Sequence, residues 1–326
     1  MQPFTLSTPG SLDTALAAAA GVDTKYIAGG TDLVQLMKDW VERPNHLVDL
    51  DGLPFDRIEF NDEGAHIGAL VRLSDAADHV ELRRRWPVIA EALLASASPQ
   101  LRNMATMGGN LLQRTRCGYF RDTGFACNKR LPGSGCPAIS GDNRLLAILG
   151  GSEHCVATHP SDLAVALTAL DAVVELRAPG SPNPRRIPLG EFYLLPSDTP
   201  QRETQLQPGE MITAILVPAD TAGLRSHYLK VRDRASFEFA LVSAAVVVKT
   251  TDGQIAQARV ALGGVGTRPW RLPAVEAALA GAPATSSAFA AAAAHAADGA
   301  HPLRQNAFKI PLMQRAIVRA LTTATA

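Results

Sequence analysis

The sequence predicts an α+β protein built from two domains. Short apolar strands alternate with helices over the first two-thirds of the chain, whereas a meander of strands followed by helices fills the last third. A composition of 47% apolar and 19% charged residues over 326 residues is typical of a globular protein with more than one core. The change of pattern near residue 220 predicts domains of residues 1–220 and 221–326.

The first domain is predicted to alternate strands and helices, with serine caps and glycine or proline turns between them. Ser11, Ser74 and Ser161 stand where N-caps are expected, and Pro87 stands where a helix begins. A turn-rich connection is predicted at residues 179–186. The predicted elements are strands at residues 4–6, 26–28, 46–50, 65–70, 156–157, 173–177 and 212–217, and helices at residues 12–20, 33–41, from 73, 88–95 and 163–170.

The second domain is predicted to be an antiparallel meander followed by helices. Thr251-Asp252-Gly253 separates two strand-like runs, at residues 240–249 and 254–261, and is a strong hairpin signal. A further strand-like run at residues 228–231 contains Lys230, for which a solvated strand lysine is the simplest interpretation. The predicted helices lie at residues 273–280, 286–297 and 312–321.

The charge balance and the apolar pattern exclude two classes of function. The 31 Lys and Arg residues equal the 31 Asp and Glu residues, so no basic field exists to hold nucleic acid or an anionic membrane. The apolar runs are shorter than the ~20 residues that a transmembrane helix needs. Residues 1–6 lack the basic segment of a secretory or twin-arginine signal, so we expect any export to depend on a partner that carries the signal.

Two Gly-Gly steps in the first domain are candidate ligand contacts. Gly29-Gly30 follows a predicted strand, and Gly108-Gly109 lies in the segment TMGGN at residues 106–110. Adjacent glycines let the backbone approach a ligand, and their N–H groups can bind a pyrophosphate. A tight turn capped by Thr31 explains the first step equally well, and a loop turn explains the second. Neither step matches the Rossmann or P-loop pattern, and the pair suits a long cofactor with two phosphates.

All four cysteines lie within one irregular stretch, residues 98–155, whose length indicates that a ligand orders it. Three interpretations remain open. A cubane iron–sulfur cluster needs four converging thiolates; disulfides would suit the even number; zinc would normally use Cys-x2-Cys pairs, which are absent. Neighbouring cations would offset the charge of a cluster, although an ordinary solvated face also explains them. The cysteines are Cys117, Cys127, Cys136 and Cys155, and the cations are Arg114, Arg116, Lys129 and Arg130.

Taken together, these segments resemble the FAD-binding subunit of the molybdenum hydroxylases, the xanthine dehydrogenase and aldehyde oxidase group. The similarity extends over nearly the whole chain. It includes AGGTDL (28–33), TMGGN (106–110), THPSDL (158–163), VSAA (242–245), ALGGV (261–265) and NAFK (306–309). Within the family, RTRC (114–117) and CNKRLPGSGC (127–136) resemble the medium subunit of the bacterial periplasmic aldehyde oxidoreductase, which carries FAD and a [4Fe–4S] cluster. This motif favours the cluster among the three interpretations.

The resemblance implies a fold and a set of site residues. The first domain would be a bilobal FAD-binding domain of the vanillyl-alcohol-oxidase type, with lobes at about residues 1–55 and 56–220 and an iron–sulfur loop at about 111–156. The second would be a small molybdenum-hydroxylase flavoprotein domain. The implied FAD-binding residues are Lys25, Tyr26, Ile27, Ala28, Gly29, Gly30, Thr31, Asp32, Leu33, Thr106, Gly109, Asn110, Asp162 and Lys230, with Lys230 near the flavin ring. The implied cluster ligands are the four cysteines. In isolation, Asp162 is more simply a helix-favouring acid in a first turn.

The function implied by the resemblance is electron transfer without a catalytic residue in this chain. A molybdenum-cofactor large subunit and a [2Fe–2S] small subunit would oxidise an aldehyde to a carboxylic acid, and FAD would pass the electrons to an external acceptor. The alternatives are the FAD subunit of another molybdenum hydroxylase, acting on xanthine, CO or an N-heterocycle, a stand-alone flavin reductase, and a non-redox protein that binds zinc or forms disulfides. We expect a periplasmic location if a partner carries the signal, and a cytoplasmic one otherwise.

Overall fold

Three β-sheets with helices packed on them organise the chain in the computed structural model, which describes residues 1–326. One sheet has three strands, one has five and one has four, and helices are interspersed along the whole chain. The predicted α+β class is therefore confirmed. No helix combines the length and the apolar character needed to span a bilayer.

The first sheet is parallel and small. Its lobe contains β1 (Thr5–Ser7), α1 (Leu12–Ala18), β2 (Thr24–Ile27), α2 (Leu33–Lys38) and β3 (His46–Asp49), with strand order β1-β3-β2. Ser11 caps α1 as predicted, because its hydroxyl accepts the Thr14 N–H. Since carboxyl ends of parallel strands share one edge, the Gly29-Gly30 step after β2 lies at that edge of the sheet.

The second lobe is a five-stranded antiparallel sheet covered by helices. Its elements are β4 (Ile58–Asn61), β5 (Gly64–Gly68), α3 (Leu73–Asp78), α4 (Val80–Arg85), α5 (Pro87–Ala95), α6 (Pro99–Arg102), α7 (Met107–Leu111), α8 (Gly118–Arg121), α9 (Asp162–Ala169), β6 (Val173–Arg177), β7 (Arg185–Pro188), α10 (Leu189–Phe192) and β8 (Met211–Pro218). The strand order is β4-β5-β8-β6-β7. Every residue of α9 is buried, and α5 packs beside it in the largest apolar core.

Several local predictions in this lobe are confirmed and others are wrong. Pro87 begins α5 and Ser161 caps α9, as predicted. Ser74 lies inside α3, which begins one residue earlier, so it is not a cap. Residues 156–157 are buried but form no strand. The two strands of this lobe that the sequence did not predict, β4 and β7, are the edge strands of its sheet, where about half of each strand faces solvent and the apolar signal is weak.

The C-terminal domain is an antiparallel sheet with helices on it. Its elements are β9 (Arg225–Val231), β10 (Val242–Thr251), β11 (Gln254–Gly263), β12 (Trp270–Arg271), α11 (Pro273–Leu279), α12 (Ser286–Ala293) and α13 (Lys309–Thr325), with strand order β12-β11-β10-β9. Asp252 and Gly253 form the two-residue loop between β10 and β11 with φ of 51° and 75°. Positive φ at both positions is the geometry of a type I′ turn, so the predicted hairpin is confirmed.

Lys309, at the start of α13, fixes the cysteine-bearing stretch to the C-terminal domain. Its side chain is fully buried, and Nζ donates to the carbonyl oxygens of Leu145 (3.0 Å), Leu146 (2.9 Å) and Gly264 (2.6 Å). Burial lowers the pKa of Lys309 to about 7. The Asn306 amide also donates to the Leu146 carbonyl, at 3.1 Å. The far end of the cysteine stretch is therefore held by buried polar contacts.

Replacement of Lys309 by methionine should destabilise the protein. Lys309→Met keeps the length of the side chain but removes the donor from two buried carbonyl oxygens, of Leu146 and Gly264, and from the half-buried carbonyl of Leu145, which should cost roughly 3 kcal/mol. Thermal unfolding followed by circular dichroism measures the loss. Lys249→Met, at an exposed position of β10, is the matched control and should unfold as the wild type does. Equal stability of the two variants would contradict the structural role of Lys309.

Candidate cofactor-binding cleft and cysteine cavity

A cleft of about 580 Å³ is lined by residues of both lobes and of the C-terminal domain. Its volume lies in the range of roughly 300–1,000 Å³ that is common for cofactor sites. All residues that the sequence analysis assigned to FAD line this one cleft. They are Lys25, Tyr26, Ile27, Ala28, Gly29, Gly30, Thr31, Asp32, Leu33, Thr106, Gly109, Asn110, Asp162 and Lys230.

The Gly-Gly step after β2 presents a row of free donors. None of the five consecutive backbone N–H groups from Gly29 to Leu33 donates to an acceptor in the protein. Both glycines are required by the geometry: a Cβ on Gly29 would lie 1.8 Å from the Met104 carbonyl oxygen, and Gly30 has a φ of 66°. Successive unpaired N–H groups of this kind form an anion-binding nest.

The second Gly-Gly step has a different chemistry. Thr106 caps α7, and its hydroxyl accepts the Gly109 N–H at 3.2 Å, while the Gly108 N–H donates to the Ala69 carbonyl at 2.8 Å. These N–H groups are already used within the protein. The segment therefore does not form a second nest. It contributes to the cleft the polar side chains of Thr106 and Asn110, and Gly109, which leaves space because it has no Cβ.

The amide of Asn110 is oriented by the cap of α9. The Ser161 hydroxyl donates to Asn110 Oδ1 at 2.6 Å and accepts the Ala164 N–H at 3.0 Å. Because the carbonyl end of the amide is the acceptor of this bond, the Asn110 Nδ2 group stays available as a donor. The structure thus joins the second Gly-Gly segment to the helix that carries Asp162.

Asp162, Tyr228 and Lys230 form a buried polar group beside the cleft. Asp162 accepts from Lys230 Nζ at 2.7 Å and from the Tyr228 hydroxyl at 2.6 Å, and the side chains of Asp162 and Lys230 are 6% and 3% exposed. Burial raises the pKa of Asp162, and the Lys230 charge opposes this shift. Lys230 is therefore not a solvated strand lysine. Tyr228 was not singled out from the sequence, although its spacing of two from Lys230 places both on one face of β9.

The four cysteines line a separate small cavity. Cys117 and Cys155 are buried, Cys127 and Cys136 are half-buried, and no disulfide joins any of them. No three His, Cys, Asp or Glu side chains stand close enough to share a single metal ion. All four thiols nevertheless line one cavity, although the sequence separates them by up to 38 positions (117 to 155).

Electrostatics around the thiols opposes free thiolates. Burial raises the pKa of Cys117 to about 11 and also raises the pKa values of Cys136 and Cys155, and neighbouring thiolates raise them further. Backbone N–H groups directed at Cys117 and the charge of Lys129 near Cys155 act in the opposite direction. Lys129 is 9% exposed and pairs with Glu203 at 2.9 Å. Four thiolates at this place would need a bound cationic centre.

Comparisons with known proteins identify the family. The family model described as the FAD binding domain in molybdopterin dehydrogenase matches residues 2–220, and the one for the CO dehydrogenase flavoprotein C-terminal domain matches residues 227–324. The chain thus belongs to the FAD-binding medium subunits of the molybdenum hydroxylase family. It is an FAD-binding oxidoreductase subunit, and the family resemblance noted in the sequence is confirmed.

Individual relatives extend over the whole chain. The chain is 49% identical over 331 aligned residues to the aldehyde oxidoreductase FAD-binding subunit PaoB of Escherichia coli strain K12, which covers 100% of this chain and 99% of that protein. It is 29% identical to the glyceraldehyde dehydrogenase medium chain of Sulfolobus acidocaldarius, covering 82% of this chain and 77% of that one. A solved structure of carbon monoxide dehydrogenase from Hydrogenophaga pseudoflava superposes with a TM-score of 0.77 at 26% identity, covering 99% and 98% of the two chains.

A bulky residue at Gly30 should deplete FAD. Gly30→Val forces a β-branched residue into a left-handed conformation at a cost of roughly 1–3 kcal/mol, so the loop should leave the nest geometry and FAD affinity should fall about tenfold or more. The flavin-to-protein absorbance ratio of the purified variant measures the loss. Gly180→Val is the matched control, since Gly180 has a φ of 71° in the open loop between β6 and β7. Full flavin occupancy in Gly30→Val would refute the nest.

Proposed function

We propose that this chain is the electron-transfer flavoprotein subunit of a heteromeric molybdenum-containing aldehyde oxidoreductase. The observation that carries the proposal is the 49% identity, over its full length, to a subunit named as part of an aldehyde oxidoreductase. The partners would be a molybdenum-cofactor large subunit and a [2Fe–2S] small subunit, which perform the substrate chemistry. No residue of this chain acts on the aldehyde.

In this proposal, the cleft holds FAD along its two Gly-Gly segments. The free N–H groups from Gly29 to Leu33 bind the pyrophosphate, and Thr106, Gly109 and Asn110 hold the adjoining part of the cofactor. Lys230, fixed by Asp162, supplies a positive charge beside the flavin ring. When bound, FAD accepts and donates one or two electrons, and the protein supplies placement and charge.

We further propose that Cys117, Cys127, Cys136 and Cys155 hold a [4Fe–4S] cluster. Four unpaired thiols around one cavity are the usual ligand set of such a cluster, and N–H groups directed at sulfur are common around it. The cysteine spacing lacks the Cys-x2-Cys pairs that structural zinc sites normally use. The cavity that the four thiols line has a volume of about 10 Å³.

Replacement of Cys127 by serine should remove iron and leave FAD in place. Cys127→Ser deletes one of four proposed ligands, so we expect most of the iron, and the broad absorption around the flavin bands, to be lost. Iron and flavin analysis of anaerobically purified protein measures both. Leu131→Ser, an exposed position of the same loop, is the control and should keep its iron. Unchanged iron content in Cys127→Ser would refute the ligand assignment.

The proposed activity is tested on the complex with its natural partner chains. We expect molybdenum, iron, sulfide and one FAD per copy of this chain, together with aldehyde-dependent reduction of an external acceptor. Turnover of xanthine, CO or an N-heterocycle instead of aldehydes would favour another molybdenum hydroxylase. Turnover of a small molecule by this chain alone would favour a stand-alone flavin reductase.

We propose a periplasmic location for the complex, reached by co-export with a partner that bears the signal. The support is the similarity of the loop segments RTRC and CNKRLPGSGC to the periplasmic enzyme's medium subunit. Fractionation of cells that express all the partner chains tests this proposal. Recovery of the assembled complex with cytoplasmic markers would contradict it.

A further inference from the structure

Asp32 belongs to the Gly-Gly loop of the cleft, but its carboxylate is bonded to the cysteine-bearing stretch. Oδ1 forms an ion pair with Arg116 at 2.7 Å and accepts from Arg121 at 2.6 Å, and Oδ2 accepts the backbone N–H of Arg114 at 2.8 Å. The Asp32 side chain is 17% exposed. Both carboxylate oxygens are thus engaged, and only the backbone N–H of Asp32 remains for an anion in the nest.

The same arginines hold the backbone that presents Cys117. Arg121 Nε donates to the Thr115 carbonyl at 3.1 Å, and the Thr115 hydroxyl accepts the Cys117 N–H at 3.3 Å. The Thr115 hydroxyl also donates to the Thr158 carbonyl at 2.9 Å, close to Cys155 in the chain. Asp32 is therefore connected to Cys117 through three successive hydrogen bonds, by way of Arg121 and Thr115.

Helix α2, which begins directly after Asp32, makes an independent contact with the same stretch. Leu36 is buried in one apolar cluster with Cys117, Cys155 and Phe120. Beyond the end of α2, Glu42 accepts from Arg114 at 2.5 Å. The nest loop and the cysteine stretch are consequently joined at Asp32 and again by Leu36 and Glu42, which follow it in the chain.

The arginine pair also resolves an electrostatic conflict. A carboxylate beside a pyrophosphate nest would repel the anion, because like charges at a short distance in a partly buried site interact strongly. The guanidinium groups of Arg116 and Arg121 offset the charge of Asp32 as long as the cysteine stretch stays in the observed conformation. Displacement of that stretch would leave the carboxylate bare beside the bound anion.

We propose that Asp32 is a positioning residue that couples FAD binding to the order of the cysteine stretch. Either site, once occupied, stabilises the conformation that the other requires, and by linkage the coupling is the same in both directions. The effect of FAD on iron retention rests on the proposed [4Fe–4S] cluster. The effect of the Asp32 ion pairs on FAD affinity requires only that the chain binds FAD.

A double-mutant cycle on FAD affinity tests the ion pairs without reference to iron. Arg121 is the partner to change, since it does not line the cleft, whereas Arg116 does. The FAD dissociation constants of the wild type, Arg121→Gln, Asp32→Asn and the double variant are measured by flavin fluorescence on stripped full-length chain. We expect Arg121→Gln to weaken FAD about tenfold when Asp32 is present, and less than twofold in Asp32→Asn.

The control for the cycle is Arg144→Gln. Arg144 lies in the same stretch, but its guanidinium pairs with Asp233 at 2.7 Å, its side chain is 45% exposed and it does not line the cleft. Its replacement should leave the FAD dissociation constant unchanged. An Arg121→Gln variant that binds FAD as tightly as the wild type, or that loses the same affinity with and without Asp32, would overturn the proposal.

Iron retention tests the reciprocal direction. The wild-type protein stripped of FAD should lose iron to a chelator several-fold faster than the FAD-loaded protein, and Asp32→Asn should lose it at the same rate in both forms. Equal rates in the wild type would overturn the coupling. A wild-type protein without iron would instead refute the cluster of the proposed function, and the FAD cycle would still decide the role of Asp32.

Discussion

The structure depends on a row of backbone N–H groups that the protein itself leaves without acceptors. Buried or half-buried donors are normally paired, because an unpaired donor costs free energy. From Gly29 to Leu33 the chain leaves five in succession, and close backbone packing at Gly29 together with the left-handed conformation of Gly30 keeps them so. In the proposed function, the pyrophosphate of FAD satisfies these donors.

The long irregular stretch keeps its shape through polar contacts at both of its ends. Near residue 115 it is attached to the nest loop through Asp32, and near residue 145 it is attached to the C-terminal domain through Lys309. A reciprocal pair adds to the second attachment: the Asn143 N–H donates to Gln305, and the Gln305 N–H donates to Asn143. The stretch that the sequence predicted to be irregular contains the short helices α6, α7 and α8, and side chains distant in sequence hold the remaining backbone.

The charges of the site are balanced locally, in agreement with a net charge of zero. Asp162 pairs with Lys230, Asp32 with two arginines, and Glu203 with Lys129 and Arg114. The two members of each pair lie far apart in the chain. Each ion pair therefore neutralises a charge and also holds two separate segments together. This arrangement lets an anionic flavin cofactor and a group of thiols lie in one compact protein without an excess of either sign.

The sequence by itself determined the features that depend on neighbouring residues. The Asp252-Gly253 hairpin, the Ser161 cap, the helix beginning at Pro87 and the two Gly-Gly steps follow from local backbone preferences. Tertiary structure alone decided that Lys230 is buried against Asp162, 68 residues away, and that the Asp32 carboxylate binds arginines more than 80 residues further on. The spacing of residues along the chain does not predict such pairs, because they form only when separate elements pack together. The edge strands β4 and β7 escaped prediction for a related reason, since their pairing comes from the sheet rather than from their own apolar pattern.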